Sequence, residues 1–97
     1  MAYARRTDTT HAPIRDAYRA VGARVLDCSG LGGGWPDMLV ISPARVLFVD
    51  AKTKRGRTVR ITPAQKRVWA VIRSAGIDVE TACDVREALA LIGIRVR

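Results

Sequence analysis

The sequence has few of the residues that bind soft metals or form covalent cross-links. It contains two cysteines and one histidine in 97 residues. Cys28 and Cys83 lie far apart in the chain and match no zinc-ligand spacing, so we expect reduced thiols in apolar surroundings. This pattern disfavours both a disulfide-stabilised secreted scaffold and a structural zinc module.

The sequence also lacks a long hydrophobic run, and we expect no signal peptide. No apolar stretch approaches the length of a membrane span, and the opening residues MAYARRTDTTHA contain no signal-peptide core. We therefore expect a cytoplasmic protein without membrane attachment. Its length fits one domain over residues 1–97, with a flexible polar segment at 1–10. Because so small a domain buries little apolar surface, we also expect a homodimer.

Acidic residues are scarce relative to basic ones. There are 17 Lys and Arg against 9 Asp and Glu, which gives a formal net charge of +8. Most of the basic residues are arginine, whose forked guanidinium suits phosphate contacts. A surface this basic favours nucleic acid as a partner. A GC-rich genome also raises arginine content, so the charge alone leaves a basic interaction protein unrelated to nucleic acid open.

Hydrophobic periodicity predicts an α/β fold with the element order α-β-β-β-α-β-α. The expected helices are Pro13–Ala20, a helix from the N-cap Thr62 to Ala75 with Gln65 completing a capping box, and Asp84–Ile92. The expected strands are Ala23–Cys28, Pro36–Ile41, Val46–Lys52 and Ile77–Ala82. This order indicates a mixed sheet flanked by helices.

The second and third strands form a hairpin whose register follows from its loop. If residues 42–45 form a tight turn, Ile41 pairs with Val46 and Asp37 lies opposite Asp50. Side chains alternate between the faces of a strand, so Asp37, Asp50 and Lys52 share one face. Both faces are otherwise apolar, as expected of central strands that are covered on both sides.

Two facing carboxylates call for a cation between them. Opposed residues on paired strands have Cβ atoms about 4.5–5.5 Å apart, so the two aspartates repel unless a positive charge lies near. Carboxylate oxygens are the ligands that Mg²⁺ and Mn²⁺ prefer. Alternatively, Asp37 caps a turn, and Asp50 with Lys52 forms a solvated strand end. The coincidence of all three in register favours a metal site.

These residues have a familiar order. Trp35-Pro36-Asp37 followed by Asp50-Ala51-Lys52 resembles the PD-(D/E)XK nuclease superfamily, and more narrowly the virus-type replication-repair nuclease (VRR-NUC) family, which is common in phages. The glycine-rich run Gly32–Gly34 and the helix start Ile61–Gln65 also match, so the resemblance spans nearly the whole chain. It implies a restriction-endonuclease-like core and a metal-dependent DNA endonuclease in a bacterial cell or phage-infected host. Branched DNA, such as a Holliday junction, would be the substrate.

The resemblance also implies roles for single residues. Asp37 and Asp50 would be metal ligands, together with the backbone carbonyl of Ala51. Lys52 would orient or help deprotonate the attacking water and balance charge in the transition state. Gln65 would lie near the site at the start of its helix.

The first helix departs from the family pattern. Related nucleases often carry a glutamate there that supports the metal, and this segment has none. The nearby candidates are Asp8, His11 and Asp16, of which His11 is preferred as a metal ligand. An ordinary polar role for His11 stays open, as does the choice between one metal and two.

A basic segment follows the presumed catalytic lysine and is expected to hold DNA. Its members are Lys54, Arg55, Arg57 and Arg60, which would contact phosphates without reading sequence. Gly33 and Gly34 would let the DNA backbone approach, unless they only form a turn. Trp69 is expected in the core rather than as a stacking platform. The competing hypothesis is a nuclease-fold DNA-binding module without activity, which would have no reason to keep Asp37, Asp50 and Lys52.

Overall fold

A computed structural model describes residues 11–53 and 59–96. The helices are α1 (His11–Ala20), α2 (Pro63–Ser74) and α3 (Val85–Ala90), and the strands are β1 (Arg24–Asp27), β2 (Met38–Ile41), β3 (Val46–Ala51) and β4 (Asp78–Ala82). The predicted α/β class and element order are confirmed. Within these ranges no helix is long and apolar enough to cross a membrane. The predicted flexible segment 1–10 lies outside the described residues.

The sheet is mixed, as predicted. Its strand order is β1-β2-β3-β4, and both β1–β2 and β2–β3 are antiparallel, whereas β3–β4 is parallel. A parallel pair needs a crossover connection, and α2 lies in the segment that provides it. This arrangement puts the ends of β3 and β4 and the start of α2 in one region of the molecule.

The predicted hairpin register is confirmed. Ile41 pairs with Val46 and Met38 pairs with Val49, so one further step brings Asp37 opposite Asp50. Three hydrogen bonds between Ser42 and Arg45 close the loop. The Ser42 N–H and the Ser42 hydroxyl each donate to the Arg45 carbonyl at 3.0 Å, and the Arg45 N–H donates to the Ser42 hydroxyl at 3.1 Å. The short closed loop fixes which residues face each other along the strands.

One face of the sheet packs beneath α1 and α3, and its central strands are buried there. Its central residues pack with both helices in a single cluster that includes Met38, Val40, Leu47, Val49, Ile14, Ala88 and Leu89. The buried hydroxyl of Tyr18 donates to the Ala88 carbonyl at 2.6 Å, which joins α1 to α3. This face is the main core of the protein.

The opposite face is only partly covered, so the expectation of burial on both sides of the central strands is wrong here. Trp69 and Ile72 of α2 pack on Phe48 and Val79, and this covers the β3–β4 half. Exposed apolar side chains remain at Leu26 of β1, at Ile41 of β2 and at Val46, the first residue of β3. The reason is that, among the described helices, α2 packs on this side, and its buried residues contact Phe48 of β3 and Val79 of β4.

The observed helix and strand ends lie within two residues of the predicted ones, and several coincide with them. Helix α1 begins at His11 rather than Pro13, which is compatible with proline because first-turn N–H groups have no intrahelical partner. Strand β2 begins at Met38, since Pro36 lacks an N–H and the Asp37 N–H bonds to a side chain. The predicted capping box of Thr62 and Gln65 is present.

Candidate active site

Asp37 is fixed by the strands on both sides of it. The Cys28 N–H donates to the Asp37 carbonyl at 2.7 Å. The Asp37 N–H donates to Asp50 Oδ1 at 3.1 Å, and Asp37 Oδ2 accepts the N–H of Ala51 at 2.9 Å. Each carboxylate therefore accepts a main-chain N–H from the other strand. The structure brings the two aspartates together on the same side of the sheet.

Asp50 connects this pair to Lys52 and Gln65. Its side chain is buried, with 3% exposure, and Oδ2 lies 3.0 Å from Lys52 Nζ and 3.3 Å from Gln65 Nε2. Lys52 Nζ also donates to Gln65 Oε1 at 2.8 Å. Four of the predicted site residues thus form one hydrogen-bonded network. It lies where β2 begins, β3 ends and α2 begins.

The electrostatics of the network are unfavourable for Asp37. Burial and the neighbouring charge of Asp50 raise the pKa of Asp37 to about 6, against the opposing effects of the Ala51 N–H and of His11. A like charge disfavours ionisation, whereas a cation beside both carboxylates would favour it. A bound cation would therefore stabilise the two carboxylates side by side.

The donor set fits a hard divalent cation. In the described residues no three His, Cys, Asp or Glu side chains are placed to hold one metal ion. The site offers the two carboxylates of Asp37 and Asp50, and the role of the Ala51 carbonyl as a further ligand stays a prediction. Mg²⁺ keeps several waters and is often bound by one or two carboxylates together with substrate phosphates. This set suits Mg²⁺ or Mn²⁺ better than a closed zinc site.

A close contact between Gly34 and α2 places Gln65 in the site. A Cβ on Gly34 would lie 2.5 Å from the backbone carbon and oxygen of Ala64, and its φ is +93°. The Trp69 indole N–H donates to the Gly34 carbonyl at 3.0 Å. The predicted close approach at Gly34 is therefore made to the protein's own helix, whereas a Cβ on Gly33 would meet nothing within 4 Å.

Trp69 supports the lysine from within the core. It is 1% exposed, so its prediction as a core residue is confirmed. Lys52 Nζ lies 5.7 Å from the centre of its ring, and Arg73 Cζ lies 5.8 Å from it. A cation near an aromatic face is attracted by the ring quadrupole. Trp69 therefore holds Lys52 while being too buried to meet DNA itself.

His11 does not join the aspartate pair as a third ligand in the described residues. Its buried Nε2 has no hydrogen-bond partner among the described residues and is 3.8 Å from Asp27 Oδ2. The structure does not gather His11 with Asp37 and Asp50 into one group of ligands, so its role as a metal ligand stays a prediction. Asp16 is exposed and paired with Arg15, and Asp8 lies outside the described residues.

Two residues near the site were not predicted to have a role in it. Asp27 ends β1 beside His11 and accepts the Ser29 N–H at 2.9 Å. Because the connection between β1 and β2 is long, the register of β1 against β2 could not be derived from the sequence. Trp35 is 43% exposed, with its ring 6.1 Å from that of Phe48. The feature of the sequence that could have indicated Trp35 as a site residue is its position two residues before Asp37.

The predicted DNA-binding segment is described only in part. Arg60 is exposed. Lys54, Arg55 and Arg57 lie outside the described residues. Their proposed role therefore depends on their position in the sequence, directly after the lysine of the site.

Fold and site together define a nuclease-type α/β domain. A solved structure described as a VRR_NUC domain is similar to this chain, with 25% sequence identity over 87% of this chain and 96% of that chain and a TM-score of 0.65. No family model and no curated protein matches the sequence. The structural likeness confirms the resemblance to the VRR-NUC family and the predicted nuclease fold.

Proposed function

We propose that this protein is a metal-dependent DNA endonuclease that hydrolyses phosphodiester bonds. The observation that carries this proposal is the crossed pair of hydrogen bonds that holds Asp37 beside Asp50, with Lys52 paired to Asp50. The VRR_NUC-like fold and the net charge of +8 support a polyanionic substrate. An ordinary solvated strand end does not account for the burial of Asp50.

Asp37 and Asp50, with the Ala51 carbonyl, would hold Mg²⁺ or Mn²⁺. Such an ion, when bound, lowers the pKa of its water and stabilises charge on the reacting phosphate. Lys52 is held in place for the same reaction. Of its three N–H donors, two are used by Asp50 and Gln65, and the third serves the attacking water or a phosphate oxygen.

Gln65 acts as a positioning residue. Its Oε1 accepts both the Lys52 ammonium and the Thr62 N–H, the latter at 3.0 Å, while its amide N–H donates to Asp50. The capping box thereby couples the start of α2 to the two charged groups. Displacing Gln65 would release both Lys52 and Asp50 from their observed positions.

Branched DNA is the proposed substrate and a homodimer the proposed active form, because two sites could then act on opposed strands of a junction. The exposed apolar side chains of Leu26, Ile41 and Val46 support a surface for a second copy. Sedimentation of the wild type against Ile41→Glu tests this, and a monomeric wild type would contradict it. Action in the cytoplasm of a bacterial or phage-infected cell stays a prediction.

A catalytically inactive DNA-binding module is the second candidate. The observation that favours it is the lack of a third acidic, histidine or cysteine ligand beside the pair in the described residues. In that case the charge of Lys52 would serve only to neutralise Asp50. The two candidates differ in a single measurable property, which is cleavage.

The deciding experiment is a cleavage assay on linear, flapped and four-way DNA in Mg²⁺ and in Mn²⁺. We expect the wild type to cut at least one substrate. Asp50→Ala should abolish cleavage while leaving DNA binding in Ca²⁺ largely unchanged, and Glu80→Ala, which removes an exposed carboxylate from β4, should cut normally. A wild-type protein that binds DNA but cuts none of these substrates with either metal would establish the binding module.

A further inference from the structure

Trp35 presents an aromatic surface to solvent beside the candidate active site. Its side chain is 43% exposed although it is one of the largest apolar groups in the chain. Its ring packs against Phe48 at a centroid distance of 6.1 Å and an angle of 55°. The contact with Phe48 covers only part of the indole, so the rest is available to a ligand.

The contact with Phe48 places the Trp35 ring on one face of the sheet. Phe48 and Asp50 are two residues apart on β3 and therefore share a face of the sheet. Trp35 packs on Phe48 and precedes Asp37 by two residues, so its ring lies on the face that carries the carboxylate pair. An aromatic group is thus placed next to the point where a scissile phosphate would be bound.

The backbone on both sides of Trp35 is fixed. Gly34 is locked against α2 by its contact with Ala64 and by the Trp69 indole, and Pro36 is fully buried with a restricted φ. Little conformational entropy is therefore lost when a ligand contacts the ring. An exposed but pre-oriented aromatic is suited to recognition rather than to packing alone.

We propose that Trp35 stacks on an unpaired DNA base next to the scissile phosphate, so that the enzyme prefers DNA in which a base has left the duplex. The proposal rests on the proposed nuclease function. Bases within a duplex are stacked on both sides, whereas an unpaired base offers a free face to an aromatic side chain. The basic charge of the chain would hold the backbone on either side, as in other single-strand-binding surfaces.

Binding in Ca²⁺ tests the proposal without requiring catalysis. Base–aromatic stacking is worth about 1–3 kcal/mol per base, so Trp35→Ala should weaken binding of flapped DNA by about 5-fold to 140-fold. Binding of fully paired duplex should change by less than about 2-fold. Trp35→Phe retains a ring and should recover most of the loss. Leu31→Ala removes another exposed apolar side chain from the same loop and should have no effect.

Fluorescence supplies a second readout. The chain has two tryptophans, and Trp69 is buried, so quenching by an unpaired base in Ca²⁺ should come from Trp35 and disappear in Trp35→Phe. If Trp35→Ala lost equal affinity for paired and flapped DNA, the proposal would be overturned. It would also be overturned if Trp35→Ala bound both DNAs as the wild type does and changed only the oligomeric state of the protein. A wild type that binds flapped DNA through Trp35 but never cuts would refute the nuclease function and leave this proposal standing.

Discussion

Asp37 and Asp50 are joined by crossed hydrogen bonds in which each carboxylate accepts a main-chain N–H of the opposite strand. The Asp37 N–H donates to Asp50 Oδ1 at 3.1 Å, and the N–H of Ala51, next to Asp50, donates to Asp37 Oδ2 at 2.9 Å. The backbone therefore holds the two charges together before any cation binds. In the absence of metal, their repulsion lowers the stability of the folded state.

The first prediction concerns the stability of Asp37→Asn. The asparagine carbonyl still accepts the Ala51 N–H while the repelling charge is lost, so the metal-free variant should be more stable than wild type at neutral pH by about 1 kcal/mol. It should also lose the stabilisation that Mg²⁺ gives the wild type. Thermal denaturation in EDTA and in Mg²⁺ measures both effects.

The control for this variant is Asp16→Asn on the exposed side of α1, which should change stability by less than about 0.5 kcal/mol. It should keep the response to Mg²⁺. An Asp37→Asn protein that melts lower than wild type in EDTA, or that is still stabilised by Mg²⁺, would contradict the role assigned to the pair.

The second prediction is a pH dependence of metal-free stability. Burial and Asp50 raise the pKa of Asp37 to about 6 in the folded state, above the ordinary value of 3.8. Between these values the folded protein binds more protons than the unfolded chain, so the contribution of Asp37 to the free energy of unfolding falls as pH rises from 4 to 6. We expect a change of about 1–2 kcal/mol, because partial exposure of the carboxyl screens it.

Urea denaturation in EDTA across this pH range checks the sign. Other groups titrate in both proteins, so the difference between the wild type and Asp37→Asn isolates the contribution of one carboxyl. That difference should grow with pH in favour of the variant. Mg²⁺ affinity of the wild type should fall as pH drops below about 6, since the ligand must be deprotonated. A difference that does not vary with pH would refute the shifted pKa.

The third prediction concerns Gly34→Ala. The positive φ of Gly34 disfavours alanine, and the added Cβ would lie 2.5 Å from the Ala64 backbone, so α2 would have to move. We expect a loss of stability of about 2 kcal/mol or more. Cleavage should fall further than stability explains, because Gln65 would leave Asp50 and Lys52. Denaturation curves and cleavage rates measured below the melting range separate the two effects.

Gly30→Ala is the matched control. Gly30 lies in the same loop, has no positive φ, and a Cβ there would meet nothing within 4 Å. It should therefore fold and cut as the wild type does. Similar behaviour of the two alanine variants would mean that the contact between Gly34 and α2 is not needed to place Gln65.

Local rules were sufficient to predict the central part of the site. The four-residue connection between Ile41 and Val46 sets the hairpin register, and period-two alternation then places Asp37 opposite Asp50 on one face. The capping box likewise identified the start of α2 at Thr62. These features depend on residues close in sequence, for which short-range geometry leaves few choices.

Features that depend on distant segments could not be predicted in the same way. Alternation assigns side chains to a face, but it does not say how much of that face α2 covers, so the exposure of Ile41 and Val46 was missed. The packing of Gly34 on Ala64 joins segments that β2 and β3 separate in the sequence. The approach of Asp27 to His11 depends on how α1 packs against β1. Only the assembled fold determines such contacts.

The fourth prediction concerns the basic segment that follows Lys52. Neutralising Lys54, Arg55 and Arg57 together should weaken DNA binding equally for all sequences, because phosphate contacts carry no sequence information. Each lost contact reduces the slope of log affinity against log salt by about 1, so the triple glutamine variant should lose about 3. The control is Arg86→Gln. Arg86 lies on α3, which packs on the face of the sheet away from Asp37 and Asp50, so this variant should leave the slope unchanged. Binding titrations in Ca²⁺ at several salt concentrations measure it, and an unchanged slope in the triple variant would remove this segment from the DNA-contacting surface.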